Sequence, residues 1–191
     1  ARQIGTALRG KSRYHVVVVK STVTPGTTDQ VVLPILEKAS GKVAGSGFGL
    51  GMNPEFLSEG QAVTDFMSPD RIVIGGIDQR SLEALTQVYG VFQDVPILRV
   101  NNKSAEMIKY ASNALLATQI SFANEIANLC SALGGLDVAQ VMEGVHLSYY
   151  LQPFVSGSPE RLKAPIASFL EAGCGYGGSC LPKDVAAIVA K

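Results

Sequence analysis

Apolar positions along this chain follow two rhythms, and the change from one to the other divides it. The opening ARQIGTALRG reads as a short helix, and YHVVVVK behind it is a run of β-branched residues, the pattern of a strand buried on both faces. STVTPGTT interrupts the run, after which DQVVLPILEKAS resumes at helical spacing and stops at Gly41. A glycine-rich strand around GFGLGM, the acidic segment NPEFLSEGQAVTDF, a strand DRIVIGG, a helix QRSLEALTQVYGVF and the short apolar VPILRV complete this part. Strands alternating with helices predict an α/β fold with a doubly wound parallel sheet. The alternation begins on a helix with no strand before it, so the expectation is a fragment that lacks the first strands of its sheet.

From about Lys103 the rhythm is helical alone. KSAEMIKYASNALLATQISFANEIANLCSAL contains no Gly or Pro, and Met107, Ile108, Ala111, Leu115, Phe122, Ile126, Leu129 and Leu133 recur at helical spacing up to Gly134 and Gly135. This predicts one long helix. A short helix LDVAQVMEGV, an irregular stretch from Ser148 to Pro165 and a last helix PKDVAAIVAK follow. The expected division is residues 1–101, the sheet-bearing part, and residues 102–191, an all-helical part built on the long central helix.

Charge and cysteine content narrow the class. Sixteen basic residues balance sixteen acidic ones, and no basic run supplies the phosphate-neutralising charge of a nucleic-acid binder. No apolar stretch reaches membrane-spanning length and no basic-then-apolar leader opens the chain, which predicts a soluble, cytoplasmic protein away from membranes. Cys130, Cys174 and Cys180 are odd in number and form no C-x-x-C pair, so reduced thiols are expected rather than a disulfide framework. His15 and His146 stand alone, and no metal site is predicted.

The candidate chemistry centres on GCGYGGSCLPKD, residues 173–184. Its formal G-x-G-x-x-G neither follows a strand nor opens directly into a helix, so a dinucleotide loop is a poor reading. The glycines instead permit close approach of a ligand, and Cys180 precedes a helix expected to begin near Pro182, where free amides favour a thiolate. The alternative is a small cysteine packed in a tight turn. Lys109 and Asn113 share one helical face, suited either to an oxyanion or to solvent. Glu55 and Glu59, also four apart, are either a base toward water or partners of a helix start. Ser21 and Thr22 follow a strand at the edge where open α/β sheets bind ligands, although hydroxyls also serve as caps there. GSGFGLG, residues 45–51, fails the dinucleotide spacing and suits close backbone packing.

Taken in order, VVVVKSTVTPGTT, NPEFLSEGQAVTDFMSPDRIVIGG, AEMIKYASNALLATQISFANEI and GCGYGGSCLPKD resemble the UDP-glucose/GDP-mannose dehydrogenase family over essentially the whole chain. The resemblance implies the end of an NAD-binding Rossmann domain followed by most of a helical dimerisation domain. The family's own G-x-G-x-x-G strand and its third, nucleotide-binding domain fall outside this sequence. It implies two successive NAD-dependent oxidations of a nucleotide sugar's primary alcohol to a carboxylate, with UDP-glucose giving UDP-glucuronate, GDP-mannose as the alternative substrate, or a non-catalytic piece that retains only a dimer core. By the same resemblance Cys180 is the nucleophile, Lys109 and Asn113 support the oxyanion, Asp184 and Thr22 hold a water, and Glu55 is the base of thioester hydrolysis. Ser21, Thr22, Val23, Glu59 and Lys183 fall on the NAD side. Glu55, Phe56, Leu57, Ser58 and Glu59, with Lys109, Asn113, Phe169, Gly173 and Gly177, fall on the sugar-nucleotide side. A homodimer through the helix 103–133 is implied as well, and in some members a neighbouring subunit supplies an arginine, near which Arg161 and Lys163 stand here.

Overall fold

The computed structural model describes residues 1–190; Lys191, the last residue of the expected second part, lies outside them. The chain forms two compact units, Ala1–Tyr110 and the residues from Ala111 onward. In the first, α1 (Arg2–Arg9) precedes β1 (Val16–Val19), and a wide π-helical turn, Thr28–Val32, runs without a break into α2 (Leu33–Ser40). Then come β2 (Gly49–Met52), α3 (Ala62–Met67), β3 (Ile72–Gly76), α4 (Gln79–Tyr89), β4 (Ile97–Val100) and α5 (Asn102–Leu133).

The strands lie in the order β1-β2-β3-β4. β1 pairs parallel with β2, Val16 opposite Gly49, and β3 pairs parallel with β4, Ile72 opposite Ile97. Between these pairs β2 and β3 run antiparallel, Met52 opposite Gly75, so the sheet is parallel-dominated and not wholly parallel as the pattern predicts. The cause lies in residues 53–71. A parallel return needs a crossover that lays an apolar face on the sheet, and α3 has no buried residue with which to do so. β1 also differs from expectation: its four valines are half-buried, because β1 is an outer strand.

Side chains alternate across the sheet into two helical layers. Leu50 packs with Leu8, Leu36 and Phe48 toward α1 and α2, with Val17 beside them. On the other face Ile72 and Ile74 pack with Leu85 of α4, joined by Val18. A third cluster, Met52, Val73 and Ala105 with Val19, Val23, Phe56 and Ile108 around it, lays the first turns of α5 over the ends of β1 and β2. Gly75 permits this approach: a Cβ there would stand 2.8 Å from the Cα of Asn102 and 3.0 Å from the Cβ of Ala105.

The second unit is helical, with the remainder of α5, α6 (Val138–His146), a 3-10 turn Pro165–Phe169 and α7 (Cys180–Val189). Ala123, Met142 and Leu170 form its core, with Ile126, Val138 and Leu151 against them. Asp137 caps α6, its carboxylate accepting from the Ala139 amide. α7 starts at Cys180 rather than near Pro182. Proline fits there because the amides of a helix's first turn have no intrahelical partner in any case.

α5 is as long as its spacing predicts, and its apolar positions divide between core and solvent: Ile108 packs in the first unit's core and Ile126 in the second's. Met107, Leu115, Phe122, Leu129 and Leu133 are 48 to 67% exposed, whereas Glu106, Lys109 and Asn113 are buried beside Ala105, Tyr110, Ala117 and Ala123. Among the described residues no helix is long and apolar enough to cross a membrane.

Candidate functional site

In the first unit the carboxyl ends of β1 and β2 bring a set of polar groups together. The Lys20 ammonium donates to Oδ1 of Asn53 and to the Tyr89 hydroxyl, and Asn53 Nδ2 donates to the Val73 carbonyl at 2.8 Å. Asn53 thereby ties the last residue of the β1 side to β3. Just beyond Lys20, Ser21 is exposed and Thr22 half-buried, while Val23 turns into the cluster around Met52.

Residues 53–61 form a loop, and Pro54 and Gly60 keep it out of helical geometry. Glu55 and Glu59 therefore lie in a loop and not in the first turn of a helix, since α3 begins only at Ala62. Glu55 Oε2 accepts from the Leu57 amide at 2.7 Å, and Oε1 lies 3.6 Å from the Lys109 ammonium. Phe56 lies under two cations, with the Arg71 guanidinium 4.0 Å and the Lys109 ammonium 5.4 Å from its ring centre. Ser58 is held by its amide to Asp65 Oδ2 at 2.7 Å, while Leu57, Ser58 and Glu59 are exposed. Lys109 is only 6% exposed. An ammonium taken that far out of water is costly unless it has a counter-charge, and Glu55 supplies one.

In the second unit Asn113 Nδ2 donates to Asp184 Oδ2, and the Lys183 ammonium contacts the other oxygen of the same carboxylate. Asp184 and Cys180 are four residues apart on α7, hence on one face of it. Cys180 is exposed, its Sγ 3.8 Å from the Ser179 hydroxyl. The glycine-rich loop ahead of it is anchored by the Gly173 amide, which donates to Asn124 Oδ1 at 3.0 Å. Gly173 and Gly177 are exposed, and Phe169 is half-buried in the 3-10 turn. The Arg161 guanidinium donates to the Leu147 carbonyl and lies about 5 Å from the rings of Tyr149 and Phe154; Lys163 pairs with Glu171.

The structure thus joins Glu55, Phe56 and Lys109 in one unit and Asn113, Lys183 and Asp184 in the other. A cavity of about 430 Å³ lies elsewhere in the second unit, lined by Met142, His146, Lys163 and Glu171 among others, and none of the predicted site residues borders it. Among the described residues no group of three or more His, Cys, Asp or Glu is placed to hold a metal. Sequence reasoning missed three organising residues: Asn53, Asn124 and Glu106. Glu106 carries a usable signal, since it stands three residues before Lys109 and shares its helical face.

Residues 1–93 match the NAD binding domain of the UDP-glucose/GDP-mannose dehydrogenase family, and residues 103–191 match that family's central domain. A UDP-glucose 6-dehydrogenase of Haloferax volcanii is 45% identical over 194 residues, covering 100% of this chain and 42% of the relative. A GDP-mannose 6-dehydrogenase of Pseudomonas aeruginosa is 43% identical, covering 98% of this chain and 40% of the relative. Among solved structures, a UDP-glucose dehydrogenase from Pyrobaculum islandicum superposes with a TM-score of 0.83 at 42% identity, covering 99% of this chain and 39% of that one. The chain spans about two fifths of the length of these relatives.

Proposed function

Because this chain belongs to the UDP-glucose/GDP-mannose dehydrogenase family, we propose that it carries the cofactor-side and thiol-bearing parts of an enzyme that oxidises the C6 alcohol of a nucleotide sugar to a carboxylate. We take UDP-glucose as the substrate, in line with the 45% identical Haloferax relative. GDP-mannose is the second reading, favoured by relatives of 43 to 44% identity. In this reading residues 1–101 belong to the NAD-binding domain and 102–191 to the central one.

NAD, when bound, accepts a hydride in each of two oxidations. The hydroxyls of Ser21 and Thr22 at the end of β1 suit the polar groups of such a dinucleotide, and we assign its contacts to Ser21, Thr22, Val23, Glu59 and Lys183. The first oxidation converts the alcohol to an aldehyde. An aldehyde has no hydride to give from a C–OH carbon until a nucleophile adds, and that is the role assigned to Cys180. Its sulfur bonds to the carbonyl carbon as the thiol proton passes to the oxygen, and loss of a hydride together with that hydroxyl proton from the resulting thiohemiacetal leaves a thioester. Water, held by Thr22 and Asp184 and deprotonated by Glu55, then adds to the thioester; the carboxylate leaves and the thiol is restored. Lys109 and Asn113 stabilise the oxygen as it gains charge. Phe56, Leu57, Ser58, Phe169, Gly173 and Gly177 hold the sugar nucleotide.

The observation that carries this reading is the buried polar face of α5. Lys109 and Asn113 are 6% and 8% exposed on a helix that leaves Met107, Leu115, Phe122, Leu129 and Leu133 about half or more in solvent, an arrangement that costs stability and fits a site. The exposed stripe from Met107 to Leu133 supports a homodimer through α5. We also place the enzyme in the cytoplasm, where free Cys130, Cys174 and Cys180 stay reduced.

Counting NADH released per UDP-glucose and per GDP-mannose by the intact gene product tests the scheme. Two equivalents are expected, and one would overturn the thioester route. Cys180→Ser is expected to stop at the second oxidation; undiminished formation of the acid removes Cys180 from its role. Phe122→Glu with Leu129→Glu is expected to sediment as a monomer, and an unchanged dimer excludes α5 as the interface.

A further inference from the structure

Glu106 is wholly buried, and its carboxylate is fully occupied by one turn of chain. Oε2 accepts from the Gly26 amide, while Oε1 accepts from both the Thr28 amide at 2.8 Å and the Thr28 hydroxyl at 2.6 Å. These donors belong to the start of a continuous helix, the wide turn Thr28–Val32 and α2 behind it. That helix follows β1, and a helix start after a parallel strand is where dinucleotide-binding folds seat a ligand phosphate. Here a side chain of the protein holds the position. Gly26, at φ +98°, gives the turn the shape that aims these donors inward, and the Thr27 amide closes it on the Thr24 carbonyl. One turn earlier on α5, Asn102 Nδ2 donates to Asp29 Oδ1 at 2.7 Å, so α5 grips the helix start at two points.

We infer that Glu106 is an internal anion in place of a ligand phosphate, and that it acts as a positioning residue: it fixes the Ser21–Thr28 segment to the turn of α5 that carries Lys109. Lys109 follows Glu106 by three residues, so the cofactor-side segment and the lysine are set by the same helical turn. Two consequences follow. The pyrophosphate of a dinucleotide does not bind at this helix start, whose donors are already used. Glu106 acts on Ser21 and Thr22 only through the chain that joins them to Gly26 and Thr28, and it touches neither cofactor nor substrate. The assignment of Ser21–Val23 to NAD rests on the function proposed above; the anion's place in the turn does not.

The test has two arms. In the intact gene product, Glu106→Gln keeps the shape but turns an amide NH2 toward one of the donors. It is expected to raise the KM for NAD about tenfold, the weight of one charge-assisted hydrogen bond. The KM for the nucleotide sugar is expected to stay within about twofold of its value, since the change acts through the Ser21–Thr28 segment. Ser21→Ala is expected to add less on top of Glu106→Gln than it does alone. Thr28→Val, which removes only the hydroxyl donor, is expected to shift the NAD KM in the same direction by less, and it decides the matter if Glu106→Gln does not fold. An unchanged NAD KM in a folded variant, or full additivity with Ser21→Ala, overturns the positioning role.

The second arm needs no cofactor. Glu106→Ala leaves a space the size of acetate lined by the three donors, and acetate is expected to raise its melting temperature where chloride at equal ionic strength does not. Acetate is expected to leave the wild type unmoved. Equal responses to acetate and chloride overturn the internal anion. Absence of any NAD turnover in the wild type, with acetate rescue intact, counts instead against the proposed function.

Discussion

Asn113 Nδ2 lies 2.6 Å from Asp184 Oδ2, and both side chains are almost wholly removed from water. One belongs to the long α5 and the other to the short α7, so this hydrogen bond fixes the element that carries Cys180. Asn113→Ala leaves a buried carboxylate oxygen without its donor. The expected loss of stability is about 1–3 kcal/mol, read from urea denaturation. Asn113→Asp sets a second carboxylate against the first and is expected to cost more than the alanine variant; a smaller cost contradicts the contact.

Lys109→Met keeps most of the side chain's length, one atom short, while removing the charge that faces Glu55 and lies over Phe56. Turnover is expected to fall by about 10²–10³, the usual effect of losing a group that stabilises a developing oxyanion. The circular dichroism spectrum is expected to stay that of the parent. A variant that turns over normally places Lys109 outside the reaction.

Gly75→Ala is a test of how α5 meets the sheet. The new methyl group meets Asn102 Cα at 2.8 Å and Ala105 Cβ at 3.0 Å, both on or close to backbone that cannot swing aside. Overpacking of this kind costs about 1–3 kcal/mol. Thermal denaturation checks it, and an unaltered midpoint means that α5 is not seated on β3.

The three thiols differ in access. Cys174 and Cys180 are exposed and Cys130 is buried, so iodoacetamide is expected to label two per chain in the folded protein and three in denaturant. Peptide mass spectrometry identifies them. Rapid native labelling of Cys130, or none at Cys180, contradicts the structure of the second unit.

Much of the fold is legible in the order of residues, and the exceptions have physical causes. The valines of β1, the glycine stop at Gly41 and the unbroken run from Asn102 to Leu133 each act locally, and local signals are what a sequence displays. The reversal of β3 against β2 is non-local: it depends on α3 having no face to lay on the sheet. The polar residues on the buried side of α5 are not legible for a related reason. Periodicity locates an apolar stripe, but Glu106, Lys109 and Asn113 are buried because partners elsewhere in the chain satisfy them, and those partners are 54 to 80 residues away, at Glu55, Asp184, Gly26 and Thr28. Near Cys180 the sequence shows the glycines and the helix behind them, although α7 starts at Cys180 and not near Pro182. Asn124, which anchors Gly173 from the middle of a helix, gave no signal of its own.

The wide turn Thr28–Val32 holds one residue more than an α-helical turn would, because the Leu33 amide reaches back five residues to the Thr28 carbonyl. Chain length is therefore negotiable at that point and nowhere else along this helix. Deleting Val31, whose side chain is half in solvent, lets the turn tighten while the ends on either side keep their places. A deletion within Leu33–Ser40 would instead swing the rest of the helix by about 100° and carry Leu36 or its replacement off the sheet.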